Sequence, residues 1–75
     1  MAYKRIRELR EDKDLLQKDI ARVLNCTQVA YSRYELGARD IPTDVLITLA
    51  KFHNTSIDYL LELTDEIKPH KRKNK

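Results

Sequence analysis

Apolar residues recur at helical spacing along most of the chain, and no stretch shows the strict alternation of a strand. Ala2, Tyr3, Ile6, Leu9, Arg10 and Lys13 follow one another in helical steps, predicting a first helix over about Ala2–Asp12. Leu15 and Leu16 follow Asp14. A second helix from about Gln17 to Leu24 turns Ile20, Ala21 and Leu24 inward and Lys18 and Arg22 outward. Thr27 is a good N-cap for a third, Gln28–Leu36. One angular half of that helix carries Gln28, Val29, Ser32, Arg33 and Leu36; the other carries Ala30, Tyr31 and Tyr34. So short a helix is marginal alone and must dock its apolar side. Its polar side then faces either water or something it reads. A fourth helix begins near Pro42–Thr43 and reaches His53, and Ser56 caps a fifth from Ile57 to about Leu63. The expected class is all-α.

The helix stops are unusual in kind. The chain has one glycine, Gly37, placed to end the third helix in the left-handed conformation. Asp14, Asn25 and Asn54 each stand between one helical segment and the next. Asn and Asp are among the non-glycine residues that best tolerate positive φ, so these three are read as substitutes for glycine at helix ends.

Size and charge narrow the function. Seventy-five residues make one small domain near the lower limit for an independent core. The longest apolar run is too short to cross a bilayer, and no secretory signal is visible. The single cysteine, Cys26, has no internal disulfide partner, which fits a reducing cytoplasm. Residues 1–39 hold nine Lys/Arg against six Asp/Glu, whereas residues 40–66 hold Lys51 against six acids. The last nine residues, IKPHKRKNK, add five basic groups and no acid, so the overall charge of +3 owes more to this tail than to the body. A basic N-terminal half beside an acidic C-terminal half gives the domain a charged direction, a better pointer to nucleic acid than isoelectric point alone.

The stretch QKDIARVLNCTQVAYSRYEL, residues 17–36, resembles the helix-turn-helix of the Cro/repressor (XRE) family of phage and bacterial regulators. The likeness extends from RIRELRE at Arg5–Glu11 to SIDYLL at Ser56–Leu61. Ala21 stands where two helices cross closely and Asn25 at the turn position that usually needs glycine. Ile20, Leu24, Cys26, Tyr31 and Tyr34 occupy the buried slots, and Glu35-x-Gly37 closes the motif. The resemblance implies a compact five-helix, lambda-repressor-like DNA-binding domain over residues 1–65, followed by a short disordered basic tail over 66–75.

It also implies a mechanism, in which the third helix lies in the major groove of double-stranded DNA and reads base edges. Gln28 can pair bidentately with adenine, Arg33 can fork onto guanine or hold a phosphate, Val29 can touch a thymine methyl, and Ser32 can bond a base or the backbone. Gln17, at the start of the second helix, Thr27, and Arg39 beyond Gly37 are the expected phosphate contacts. Leu16 stands where the family usually has Thr, so the N-cap hydroxyl is missing, at about 1 kcal/mol. Leu36 likewise replaces a residue that is commonly polar. Arg10 lies on the apolar stripe of the first helix and Glu35 at the edge of the third helix's inward face, and the family often links these positions by a salt bridge, so one is expected here.

The remaining candidates call for plainer roles. Cys26 is expected to be a packed turn cysteine. His53 and His70 have no matching ligand cluster, so no metal or other cofactor is expected. Phe52 and Tyr59 are expected in the core or a dimer contact, and the tail adds at most weak attraction to phosphate or is simply solvated. No nucleophile–base pair or phosphate-cradling glycine loop points to an enzyme. A good base contact is worth about 1–3 kcal/mol, and a regulator needs on the order of 4–10 kcal/mol over nonspecific DNA. A homodimer on a palindromic operator is therefore expected, paired through the C-terminal helices, Ile57 to Ile67 and Phe52. With no second domain in these residues, dimerisation in free solution is expected to be weak. The expected function is that of a cytoplasmic, nucleoid-associated transcriptional regulator, in the first instance a repressor. The alternative is a protein-interaction module of the same fold, antitoxin-like or regulator-sequestering.

Overall fold

A computed structural model of the chain describes residues 3–69. Its helices are α1 (Lys4–Asp12), α2 (Gln17–Val23), α3 (Gln28–Leu36), α4 (Thr43–Phe52) and α5 (Ile57–Leu60). Ile6 and Leu9 of α1, Ile20 and Ala21 of α2, Tyr31 and Tyr34 of α3, Leu49 and Ala50 of α4 and Leu60 of α5 form one buried core. α2 packs on α3, α1 on α3 and α5, and α4 on α5, so α1 stands between the two halves of the domain. Among the described residues no helix is long and apolar enough to cross a membrane, and no three His, Cys, Asp or Glu gather as a metal site.

Side-chain caps start two of the helices. The Thr27 hydroxyl accepts a hydrogen bond from the Ala30 N–H at 3.0 Å, and that of Ser56 accepts from the Tyr59 N–H at 3.0 Å. α2 begins differently. Leu16 has no hydroxyl to offer, but the Asp19 carboxylate accepts from the Leu16 N–H at 2.8 Å. That is the returning half of a capping box, and it offsets part of the loss expected from leucine at this position.

The ends share one device. Asp14, Asn25 and Asn54 have φ of 55°, 55° and 53°, and Gly37 has 74°. The N–H of Asp14 donates to the Glu11 carbonyl at 2.9 Å and that of Leu15 to the Arg10 carbonyl at 3.1 Å. Asn25 with Cys26, Gly37 with Ala38, and Asn54 with Thr55 close their helices in the same way. This is the Schellman arrangement, which satisfies carbonyls that a helix end would otherwise leave unpaired.

Glu62 is a fourth non-glycine residue at positive φ, 62°. It explains why α5 stops at Leu60 rather than near Leu63: the chain reverses there, and the Leu63 N–H bonds the Asp58 carbonyl at 2.9 Å. Beyond the reversal, Arg5 of α1 holds the returning strand. Its guanidinium donates to the Tyr59 carbonyl at 3.0 Å, to the Thr64 carbonyl and to Asp65 at 2.8 Å, and lies 4.2 Å from the centre of the Tyr59 ring. The Thr55 hydroxyl donates to the Ile67 carbonyl, so the chain is still tied to the fold two residues past the expected boundary at residue 65. The rest of the basic tail, from His70 on, lies outside the described residues, as does Ala2. Three other boundaries move by one or two residues, as helix ends commonly do. α1 starts at Lys4, after an extended Tyr3; Leu24 caps α2; and α4 ends at Phe52, with His53 as its C-cap. Leu24 and Cys26, expected in the core, are half-buried at its margin.

His53 is the least comfortable core residue. It is 5 % exposed, neither ring nitrogen has a hydrogen-bond partner among the described residues, and Phe52 meets it edge-on at 5.0 Å. Burial, with the nearby Lys13 ammonium, pushes its pKa down from 6.5 to about 4.

Two outcomes are expected. Asp14→Gly relieves an L-residue held at positive φ and should stabilise the domain by up to about 1 kcal/mol, whereas Asp14→Val should cost about 1–2 kcal/mol; urea unfolding measures both. The unfolded chain takes up the His53 proton near pH 6.5, while the folded chain refuses it until about pH 4. Stability should therefore fall as the pH drops through that window, and thermal melts of a His53→Leu variant should lack that slope.

Candidate nucleic-acid interface

α3 divides into two faces as its sequence requires. Tyr31 and Tyr34 are buried, and Ala30 is half-buried. Gln28, Val29, Arg33 and Leu36 are exposed on the other side, with Ser32 half-buried between them. Among the described residues, the side chains of Gln28, Ser32 and Arg33 make no intramolecular hydrogen bond or ion pair. They stand ready to donate and accept elsewhere. Val29 is 61 % and Leu36 71 % exposed, so this face carries two apolar side chains as well as polar ones.

The expected phosphate contacts are placed differently from one another. Thr27 is exposed beside Gln28; its oxygen accepts the cap bond, which leaves its O–H free to donate. Arg39 is exposed at the rim of an open cleft of about 390 Å³, together with Tyr3, Asp40, Ile41, Leu46 and Leu61. Gln17 is half-buried and already engaged, since its Nε2 donates to Glu35 Oε1 at 3.1 Å.

That bond belongs to a network that the structure assembles behind the interface. Arg10 Nε donates to Glu35 Oε2 at 2.7 Å and a terminal nitrogen to Oε1 at 3.2 Å, a two-pronged pair between α1 and α3. A third Arg10 nitrogen donates to the Leu15 carbonyl at 2.8 Å, reaching the turn before α2. Glu35 is 7 % exposed. Burial works to raise its pKa, but the bonds from Arg10 and Gln17 and the adjoining Tyr31 hydroxyl outweigh it and hold the carboxyl below its ordinary value. The bond to Glu35 holds the Arg10 guanidinium above its own. Burial, followed by the Glu35 carboxylate, pushes the Tyr31 phenol upward; its oxygen is buried there without a well-formed hydrogen bond. Both members of the ion pair are therefore charged at neutral pH.

Arg10 and Glu35, singled out in sequence, are brought together; the link from Glu35 to Gln17 and the Arg5 clamp were not foreseen. Arg5 left a trace, being four residues before Leu9 on the same helical face, but its partners lie 54 to 60 residues away.

A helix-turn-helix family model matches residues 6–60, most of the chain, from within α1 to the end of α5. The chain belongs to the Cro/C1-type (XRE) helix-turn-helix family. It is 35 % identical over 75 residues to the uncharacterized HTH-type transcriptional regulator YobD of Bacillus subtilis (strain 168), covering 99 % of this chain and 67 % of that protein. It is 36 % identical over 62 residues to YqaE, another uncharacterized HTH-type transcriptional regulator of that organism, covering 83 % of this chain and 53 % of the relative. The HTH-type transcriptional regulator ImmR of the same organism is 41 % identical over 58 residues, 77 % of this chain and 46 % of the relative. The chain thus spans from about half to two thirds of the length of these relatives. No solved structure matches it significantly. The domain is a DNA-binding helix-turn-helix of the transcriptional-regulator type.

Removing one partner of a buried ion pair strands the other charge. Arg10→Met should therefore cost about 3 kcal/mol or more of stability, read by urea unfolding. The pair's contribution is full above the ordinary carboxylate pKa and lost as the pH falls through the lowered value of folded Glu35, so the gap between wild type and variant should close in acid.

Proposed function

We propose that the chain is a sequence-specific transcriptional regulator, in the first instance a repressor, acting in the cytoplasm as a homodimer on a palindromic operator. α3 enters the major groove. Gln28 reads adenine, Arg33 reads guanine, Val29 meets a thymine methyl, and Ser32 bonds a base or the backbone. Gln17, Thr27 and Arg39 hold phosphates on either side and fix the helix in register.

The observation that carries this is the division of α3. Its inner face is spent on the core through Tyr31 and Tyr34, while Gln28, Ser32 and Arg33 have no intramolecular partner among the described residues. Two or three base contacts at about 1–3 kcal/mol each sit at the low end of what specific recognition requires, and a second copy doubles them. Apolar surface for pairing is available at the other end of the domain, where Leu63 is 73 % and Ile67 47 % exposed and Phe52 is also exposed. The surplus of acid over residues 40–66 keeps that end away from phosphate.

One observation favours a second reading. Leu16 and Leu36 are exposed apolar residues where the family commonly has polar ones, and such side chains suit a protein partner better than a phosphate backbone. In that case the domain is an interaction module, antitoxin-like or regulator-sequestering.

Selection of bound sequences from a random duplex pool separates the two. A palindromic consensus with half-sites about 10 base pairs apart supports the regulator; no enrichment supports the interaction module. On the selected site, Gln28→Ala should relax preference at one base pair, at a cost of about 1–3 kcal/mol. Uniform weakening on every sequence would remove Gln28 from the readers.

A further inference from the structure

We infer that the buried Arg10–Glu35 pair is a positioning device for DNA binding, acting through Gln17. The inference rests on the phosphate role proposed for Gln17 and adds what the buried network does for it. A carboxylate at neutral pH only accepts hydrogen bonds, so the nitrogen end of the Gln17 amide must face Glu35, as it does at 3.1 Å. The amide nitrogen carries two hydrogens. One is spent on Glu35, which sets the side-chain rotamer, and the second is left for a phosphate oxygen. Nε2 then bridges two anions, the carboxylate behind it and the phosphate in front.

Such a bridge is favourable only if the rear anion is compensated. Arg10 does this with two bonds to the same carboxylate, at 2.7 and 3.2 Å, and its charge cancels that of Glu35 at the rear of the phosphate site. The third Arg10 bond, to the Leu15 carbonyl, fixes the turn two residues before Gln17. The carboxylate thus accepts three bonds, two from Arg10 and one from Gln17. An amide at position 35 has one acceptor oxygen and turns a donor toward one of these partners. Glu35 and Arg10 are positioning residues and do not touch the DNA themselves.

The test is a cycle of Gln17→Ala and Glu35→Gln in the full chain, with thermal unfolding confirming that each variant is folded. Binding is read on the duplex enriched by selection and on copies carrying one methylphosphonate, which removes the charge of a single phosphate. Gln17→Ala should lose several-fold in affinity on all sequences and become insensitive to neutralisation of one particular phosphate. Glu35→Gln should show the same insensitivity at the same phosphate, and the double variant should lose no more than either single one. A merely structural Glu35 would leave the phosphate sensitivity of its variant intact and make the two losses multiply, and either result overturns the proposal. If Glu35→Gln does not fold, Arg10→Lys and Arg10→Met replace it. The charge-keeping lysine should bind several-fold tighter, with the difference vanishing on the methylphosphonate duplex; a difference that persists there overturns the proposal. Failure of the wild-type chain to enrich any duplex would instead sink the DNA-binding reading, before any variant is made.

Discussion

The Arg10–Glu35 pair holds together parts of the domain that sequence keeps apart. Arg10 is on α1, Glu35 closes α3, and the remaining bonds of the two side chains go to Leu15 and Gln17 at the entrance to α2. α3 is a nine-residue helix, too short to persist unaided, and the side chains it buries against α1 and α2 are two tyrosines and this one carboxylate. A buried pair of this kind adds little net stability compared with apolar residues of the same size. What it contributes is angular definition, because a planar guanidinium bonded twice to a planar carboxylate leaves little freedom to roll or slide.

Short helices joined by tight reversals need many chain turns at small cost, and here they come almost without glycine. The Schellman closure recurs at Asp14, Asn25, Gly37, Asn54 and Glu62. Asn and Asp accept positive φ at a penalty that Val or Ile could not bear, while retaining a side chain that restricts the unfolded state more than glycine does. At Asp14, Asn25 and Asn54 the closure also delivers the next residue toward the protein: Leu15 and Cys26 pack against the core and Thr55 is buried.

Much of this was legible in sequence because it is local. Helical periodicity and the caps at Thr27 and Ser56 act within a few residues, as do the left-handed stops at Asp14, Asn25 and Asn54. Ile6, Leu9, Ile20 and Tyr31 could be assigned to the core from spacing alone. Glu62 escaped because glutamate carries no turn preference, and the Arg5 bonds to Thr64 and Asp65 that follow it join distant parts of the chain. The Arg5 clamp joins positions about sixty residues apart, and no pattern in one sequence specifies such a meeting. The Gln17–Glu35 bond was hidden for a different reason: each residue already had a role, and the shared hydrogen bond appears only when α2 is laid across α3. Leu16 carried half of its own answer in Asp19, three positions on, which is the acidic half of a box whose hydroxyl half is missing.

Arg5 also decides how the domain is joined to whatever follows it. The strand leaving α5 does not hang free, because it is bonded at Thr64 and Asp65 to the first turns of α1 and at Ile67 to Thr55. Anything continuing past residue 67 leaves from a point fixed relative to α1, the helix that also carries Arg10. Arg5 links the segment before that point to α1, and α1 is joined to α3 by the doubly bonded Arg10–Glu35 pair. The exit of the chain and α3 are in this sense mechanically coupled through α1.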